Sequence, residues 1–136
     1  MMDAVIAVRR AIQARLVADA GLLALLGGAR IHDEPPRAAT GLYVVHGDVD
    51  ARDWSTGTDL GCAQIIDLVV WAGKGSETGA ALTVAARVAE ILHDAPLVLA
   101  RHRLVNIRQT GLDARRDAKS GLSRITVRLR CVTEQI

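Results

Sequence analysis

Gln64-Ile65-Ile66-Asp67-Leu68-Val69-Val70-Trp71, followed by the turn Gly73-Lys74-Gly75 and an alanine-rich run from Ser76 to His93, decides how this chain can fold. The first segment reads as a strand that is apolar on both faces, with Ile66, Leu68 and Val70 on one and Ile65, Val69 and Trp71 on the other. Such a strand needs cover on both sides. One cover is the helix that follows. Its Ala81, Val84, Ala85, Val88, Ala89 and Leu92 recur at helical spacing, and Thr83, Arg87, Glu90 and Asp94 mark the opposite side. Ser76 stands at the N-cap position and Asp94-Ala95-Pro96 ends the helix. The second cover is another helix or a second chain.

On the C-terminal side, residues 104–111 and 122–133 read as a hairpin joined by a charged tip, 112–121. The last strand alternates cleanly. Ser123, Ile125, Val127, Leu129 and Cys131 point one way, and Arg124, Thr126, Arg128 and Arg130 the other. With Arg108 and Arg103 nearby, one sheet face carries an arginine row. This row is either a patch for phosphates or an acidic protein surface, or a solvated edge whose charges discourage aggregation.

On the N-terminal side, residues 42–49 read as a strand, with Tyr43, Val45 and Gly47 on one face and Leu42, Val44 and His46 on the other. The polar stretch 48–59 then makes a long arm that carries Trp54 among charges. Long loops inside compact domains tend to be functional. Trp54 is either an interface anchor or a residue folded back on its own sheet. Upstream, Arg30-Ile31-His32-Asp33-Glu34-Pro35-Pro36 is an extended connector in which Ile31 can join a short strand. Residues 3–20 form the first helix, with Asp3 as N-cap and Val5, Val8, Ile12 and Leu16 along one face. Gly21 breaks it, and Leu22-Leu23-Ala24-Leu25-Leu26 is a further helical turn stopped by Gly27-Gly28. That leucine cluster lies under the sheet or against a neighbour. The expected fold is α+β in the order α-β-β-α-β-β, with a mainly antiparallel sheet of two hairpins and two helices packed on it. Residues 1–136 are expected to form one domain.

Composition narrows the function classes. Half of the 136 residues are hydrophobic, yet Tyr43, Trp54 and Trp71 are the only aromatics, so the core is built from Ala, Val, Leu and Ile. A net charge of +2 is too small to argue for nucleic acid as the main partner. No apolar window is long enough to cross a membrane. The start Met1-Met2-Asp3-Ala4-Val5 lacks a signal-peptide pattern, and Arg9 and Arg10 interrupt any apolar centre. Cys62 and Cys131 read as small buried residues in a reducing compartment, and the expected place of synthesis and assembly is the cytoplasm.

The glycine turn invites a phosphate-loop reading, and its spacing refuses it. Lys74 is followed by Gly75 rather than Ser or Thr, and the glycines at 73, 75 and 79 miss the dinucleotide pattern by one residue. His32, His46, His93 and His102 stand singly, without metal-ligand spacing. No serine sits in a nucleophile elbow. Asp48, Asp50, Asp53 and Asp59 alternate with Arg52 and small residues, as a solvated arm does. No enzyme, catalytic residue, cofactor or metal site is expected.

Several stretches carry a resemblance that spans essentially the whole chain: residues 22–36, then Leu42-Tyr43-Val44-Val45, Asp53-Trp54-Ser55-Thr56, Val69-Val70-Trp71, residues 102–106, Asp113-Ala114-Arg115-Arg116-Asp117 and residues 127–134. In this serial order they resemble the tail terminators, or tail-completion proteins, of long-tailed phages and gene transfer agents. An aromatic residue that the family often places in the last strand is absent here, where Leu129 and Cys131 stand instead. The resemblance implies a structural virion protein of the tail neck. It implies a ring, a hexamer, that caps the tail tube, ends its growth and joins it to the head connector or stopper protein. Its partners are then itself, the tube protein and the connector, with no membrane and with DNA only as passing genome.

Under that implication the interface candidates are Arg52, Asp53 and Trp54 in the arm, Leu22, Leu25 and Leu26 in the leucine cluster, and Arg115, Arg116 and Asp117 at the charged tip. Arg108, Arg128 and Arg130 are candidates for contact with the lumen or an acidic partner. The alternatives are a small α+β interaction adaptor and a nucleic-acid-binding module, neither with a place in a virion. Solution mass separates the first, and salt-dependent DNA binding the second.

Overall fold

The computed structural model describes residues 1–136. Its elements run α1 (Met2–Val17), α2 (Ala20–Leu26), β1 (Ile31–His32), β2 (Leu42–Asp53), β3 (Gly61–Ala72), α3 (Thr78–Leu92), β4 (His102–Arg116) and β5 (Ser123–Gln135). The strands form one sheet in the order β1-β2-β3-β5-β4. All neighbours are antiparallel except β1, which lies parallel to β2 through Ile31–Val44 and His32–Val45. The class is α+β, as the alternation in β5 and the hairpin connections require, with a third helix, α2, added to the two expected.

The twelve-residue strand β3 sits at the centre of the sheet. Its Ile66, Leu68 and Val70 share a core with Val8, Ile12 and Leu16 of α1, Leu22 and Leu26 of α2, Val84, Val88 and Leu92 of α3, and Ile125, Val127 and Leu129 of β5. All three helices therefore cover one face. Burying such branched side chains contributes roughly 1.5–3 kcal/mol each, and the alanines of α3 let that helix approach the sheet closely. No helix reaches the other face, where Ile65 is exposed and Val69 and Trp71 are half-buried. At one corner of that open face, Tyr43 and Val45 are buried, with the His32 ring 6.4 Å from the Tyr43 ring.

Several expectations are corrected. The first helix ends at Val17, and Met1 rather than Asp3 is its N-cap. Asp19, not Gly21, makes the break. It is extended (φ −89°, ψ 106°) and accepts a hydrogen bond from Leu22 N at 2.8 Å, so it caps α2 with Gly21 inside that helix. Ser76 is not a cap either. Its N–H donates to Gly73 O in a turn, and Glu77 precedes α3 without a side-chain cap bond.

Both hairpins are longer than their charge patterns suggested. Residues 48–53, expected as an arm, continue β2 and pair with β3 from Val49–Ile66 to Asp53–Cys62. A bulge between His46 and Val49 shifts the register, so Val49 rather than Asp48 joins the core side. Likewise β4 runs to Arg116, which leaves a turn of residues 117–122 where a ten-residue tip was expected.

Candidate assembly interface

The β2–β3 connection is short and ordered by its own polar groups. Trp54 N donates to Gly61 O at 3.0 Å, Thr56 N to Asp59 O at 2.8 Å, and Gly61 N to the Ser55 hydroxyl at 3.0 Å. The Ser55 hydroxyl in turn donates to Asp53 at 2.6 Å. Gly61 is required by close approach: a Cβ there would lie 2.5 Å from the Trp54 carbonyl oxygen and 3.1 Å from its indole. Trp54 thus rests one side on Gly61 and still exposes 40 % of its surface. The residue is therefore folded back in part on its own hairpin and open to solvent in part. Leu60 and Ile136, also exposed, lie at the same end, where Gln135 N donates to Leu60 O.

Arg52 is not a free cation. It donates to both Asp50 carboxylate oxygens at 2.9 and 3.3 Å, and this bond holds the Asp50 carboxyl below its ordinary range. Asp48 and Asp53 carry no ion partner.

The leucine cluster divides. Leu22 and Leu26 are buried in the core, so they leave the candidate surface, while Leu25 is exposed. The charged tip holds itself together. Asp117 accepts from Ser120 N and from the Ser120 hydroxyl, both at 2.9 Å, which lowers its pKa. Arg116 donates to Gly121 O at 2.7 Å, and Arg115 to Asp113 at 3.0 Å.

The arginine row lies on the open face of the sheet. Arg128 is taken by Asp67 in a two-pronged contact, 2.9 and 3.2 Å, that raises the guanidinium pKa. Arg103 binds Glu134. Arg108 and Arg130 face each other directly across β4 and β5 with no carboxylate on either. Arg124 stands opposite Arg115, and its Nε is buried without a partner. Of the three arginines singled out from the sequence, two are therefore unneutralised and one is engaged within the chain.

A groove on the helix side was missed by sequence reasoning. Ala11 and Ala14 of α1 and its C-cap residue Ala18, with Ile91, Leu97 and Val98, line a depression of about 530 Å³, and Val98 projects almost fully exposed. The signal was present in the small residues at three- and four-residue spacing on the outer side of α1. Chemically, the interior is quiet. Cys62 and Cys131 are free and buried, and burial pushes the Cys131 thiol up to about 12. No group of three His, Cys, Asp or Glu side chains is placed to hold a metal ion, and no helix is long and apolar enough to cross a membrane.

Comparison with known proteins agrees with the resemblance read from the sequence. Residues 10–134 match the family described as tail completion protein gp17. Ten chains of solved structures match. One is a chain in the virion of a native gene transfer agent particle, with 34 % sequence identity and a TM-score of 0.84 over 94 % of this chain and 95 % of that one. No curated protein matches.

Proposed function

Because the chain belongs to the tail completion protein gp17 family, we propose that this structural protein of the virion tail acts as a terminator: a ring, six-membered, that caps the tail tube, ends its polymerisation and joins it to the head connector or stopper. The observation that carries this reading is the one-sided cover of the sheet. A face bearing Ile65, Val69, Trp71 and the unneutralised Arg108 and Arg130 suits a chain that completes itself with neighbours. Similarity over nearly its whole length to a chain of a gene transfer agent virion supports the same assignment. A ring requires heterologous contacts, one patch meeting a different patch on the next subunit. We assign Trp54 with Arg52 and Asp53, the exposed Leu25, and the tip residues Arg115, Arg116 and Asp117 to contacts within the ring or with tube and connector. Arg108 and Arg130 are assigned to an acidic partner or to the passing genome. Assembly takes place in the cytoplasm before the protein enters the particle neck.

Electron microscopy of the purified protein with and without tail tubes tests the proposal. Rings, and tubes bearing a ring at one end, are the expected result. A strict monomer that ignores tail tubes would overturn it. Trp54→Ala is expected to lower ring assembly and tail attachment, since exposed Trp residues at interfaces carry a disproportionate share of binding energy. Unchanged assembly would remove Trp54 from the interface.

A further inference from the structure

Two strand segments in this sheet have an outer edge with nothing beside it. β1 covers β2 only at Val44 and Val45, which leaves residues 47–53 bare. β4 is covered in its middle, where Asp94 N donates to Ile107 O at 2.9 Å and Gln109 N donates to His93 Nδ1 at 3.1 Å. Past that point residues 111–116 have no outer neighbour, and residues 112–116 are exposed. The bare segment of β4 begins just after the bulge at Gln109/Gly111 and that of β2 starts within the bulge at His46/Val49, and each then runs in regular register to the strand end. An unpaired regular edge is a template for another strand, and a monomer normally blunts it. Here the bulges twist the beginning of each segment and leave the rest usable.

The two edges are also complementary. β2 carries Asp48, Asp50 and Asp53 against the single Arg52. The bare part of β4 carries Arg115 and Arg116 against the single Asp113. Strand direction agrees with the charges. Along the antiparallel series β2-β3-β5-β4 the direction alternates, so β2 and β4 run opposite ways. A second copy related by rotation about an axis parallel to the strands keeps its strand directions. It would therefore bring its β2 antiparallel to the first copy's β4, the slightly more stable ladder.

We propose that residues 111–116 of one copy pair with residues 47–53 of the next copy of this chain, so that the sheet continues from subunit to subunit. Main-chain hydrogen bonds supply the affinity of such strand addition, and the opposite charges choose the partner edge. The contact is heterologous, the kind that closes into a ring. It rests on the ring reading above and names the surfaces that build it.

Charge exchange tests it. Arg115→Glu with Arg116→Glu makes both edges acidic, and Asp48→Lys with Asp53→Lys makes both basic. Each double variant alone is expected to need about tenfold or more higher concentration to associate in sedimentation. An equimolar mixture of the two, or the four changes in one chain, is expected to restore association. The sites are on the surface, and thermal melts followed by circular dichroism establish that the variants fold. A second variant reads the geometry directly. Ala51 and Ala114 both fall in register on the helix-covered side of the sheet, opposite Gln64 and Ile125. With Ala51→Cys and Ala114→Cys, oxidation is expected to give a ladder of linked copies. If the parent chain forms rings while the charge variants associate like it and no ladder appears, edge pairing is wrong and the ring reading stands. If the parent chain stays monomeric even with tail tubes, the ring reading falls and this inference falls with it.

Discussion

The two faces of β3 differ sharply although their side chains are nearly alike. Ile66, Leu68 and Val70 are at most 4 % exposed beneath the helices, whereas their sequence neighbours Ile65, Val69 and Trp71 remain partly open to solvent. The difference lies in what stands above each face. Leu68 belongs to one buried cluster with side chains of α1 and α3, and Ile65 lies outside that cluster. Hydrophobicity of a strand states that cover is needed; only topology states whether the same chain provides it. An uncovered apolar face on a chain of this family is where a neighbouring protein has most to gain.

The comparison breaks most visibly through truncation on each side. Leu68→Ala removes a fully buried side chain from the core and is expected to destabilise by about 2–5 kcal/mol. Ile65→Ala, three residues away on the other face, is expected to change stability by no more than about 0.5 kcal/mol. Urea unfolding of both variants measures the contrast. An equal loss would mean that the open face is covered within a single chain.

The covered face was legible because its residues obey simple periods. The stripe of α3 from Ala81 to Leu92 is buried as the helical spacing requires, and Ile125, Val127, Leu129 and Cys131 are buried as strict alternation requires. The ends of the hairpins were not legible. Residues 48–53 and 111–116 carry charges at both parities because they lie at the outer edges of the sheet, so no apolar alternation marks them as strand. Asp19 went unnoticed as a helix break because its effect depends on a local bond to Leu22 N and on Arg87, 2.7 Å away but 68 residues later in the chain. Leu22 and Leu25 could not be separated from composition alone; the helical turn sends one into the core and the other to the surface.

A smaller effect probes a polar group on the covered face. His46 is buried there, with its Nε2 2.8 Å from the Gln13 side-chain oxygen. Burial pushes its pKa below the ordinary histidine value, Arg9 adds to the depression, and Asp33 opposes it. The unfolded chain therefore takes up the proton first as pH falls. The stability held by neutral His46 is complete above the unfolded value of about 6.5 and is lost progressively as pH drops below it toward the depressed folded value. His46→Gln removes this term while keeping a donor toward Gln13. The variant's melting temperature is expected to fall less steeply than the parent's between about pH 7 and pH 5. Identical slopes would show that His46 keeps an ordinary pKa.

The smallest effect separates the faces by sign. On the covered face truncating an apolar side chain removes favourable contacts, but on the open face one cross-strand pair opposes folding of the lone chain. Arg108 and Arg130 are directly opposite with no carboxylate between them, and like charges so placed destabilise an antiparallel pair. Arg130→Thr keeps a residue suited to a strand and removes the repulsion. It is expected to raise the stability of the isolated chain by about 0.2–1 kcal/mol at low ionic strength, with the gain shrinking as salt screens the parent. In the assembled state the sign reverses if the two guanidiniums meet an acidic neighbour or the phosphates of DNA: the variant then attaches to tails less well than the parent. A variant that is more stable alone and poorer in assembly would show that this face retains a repulsive pair for the sake of a partner. A variant neutral in both measurements would make the pair a solvated edge and nothing more.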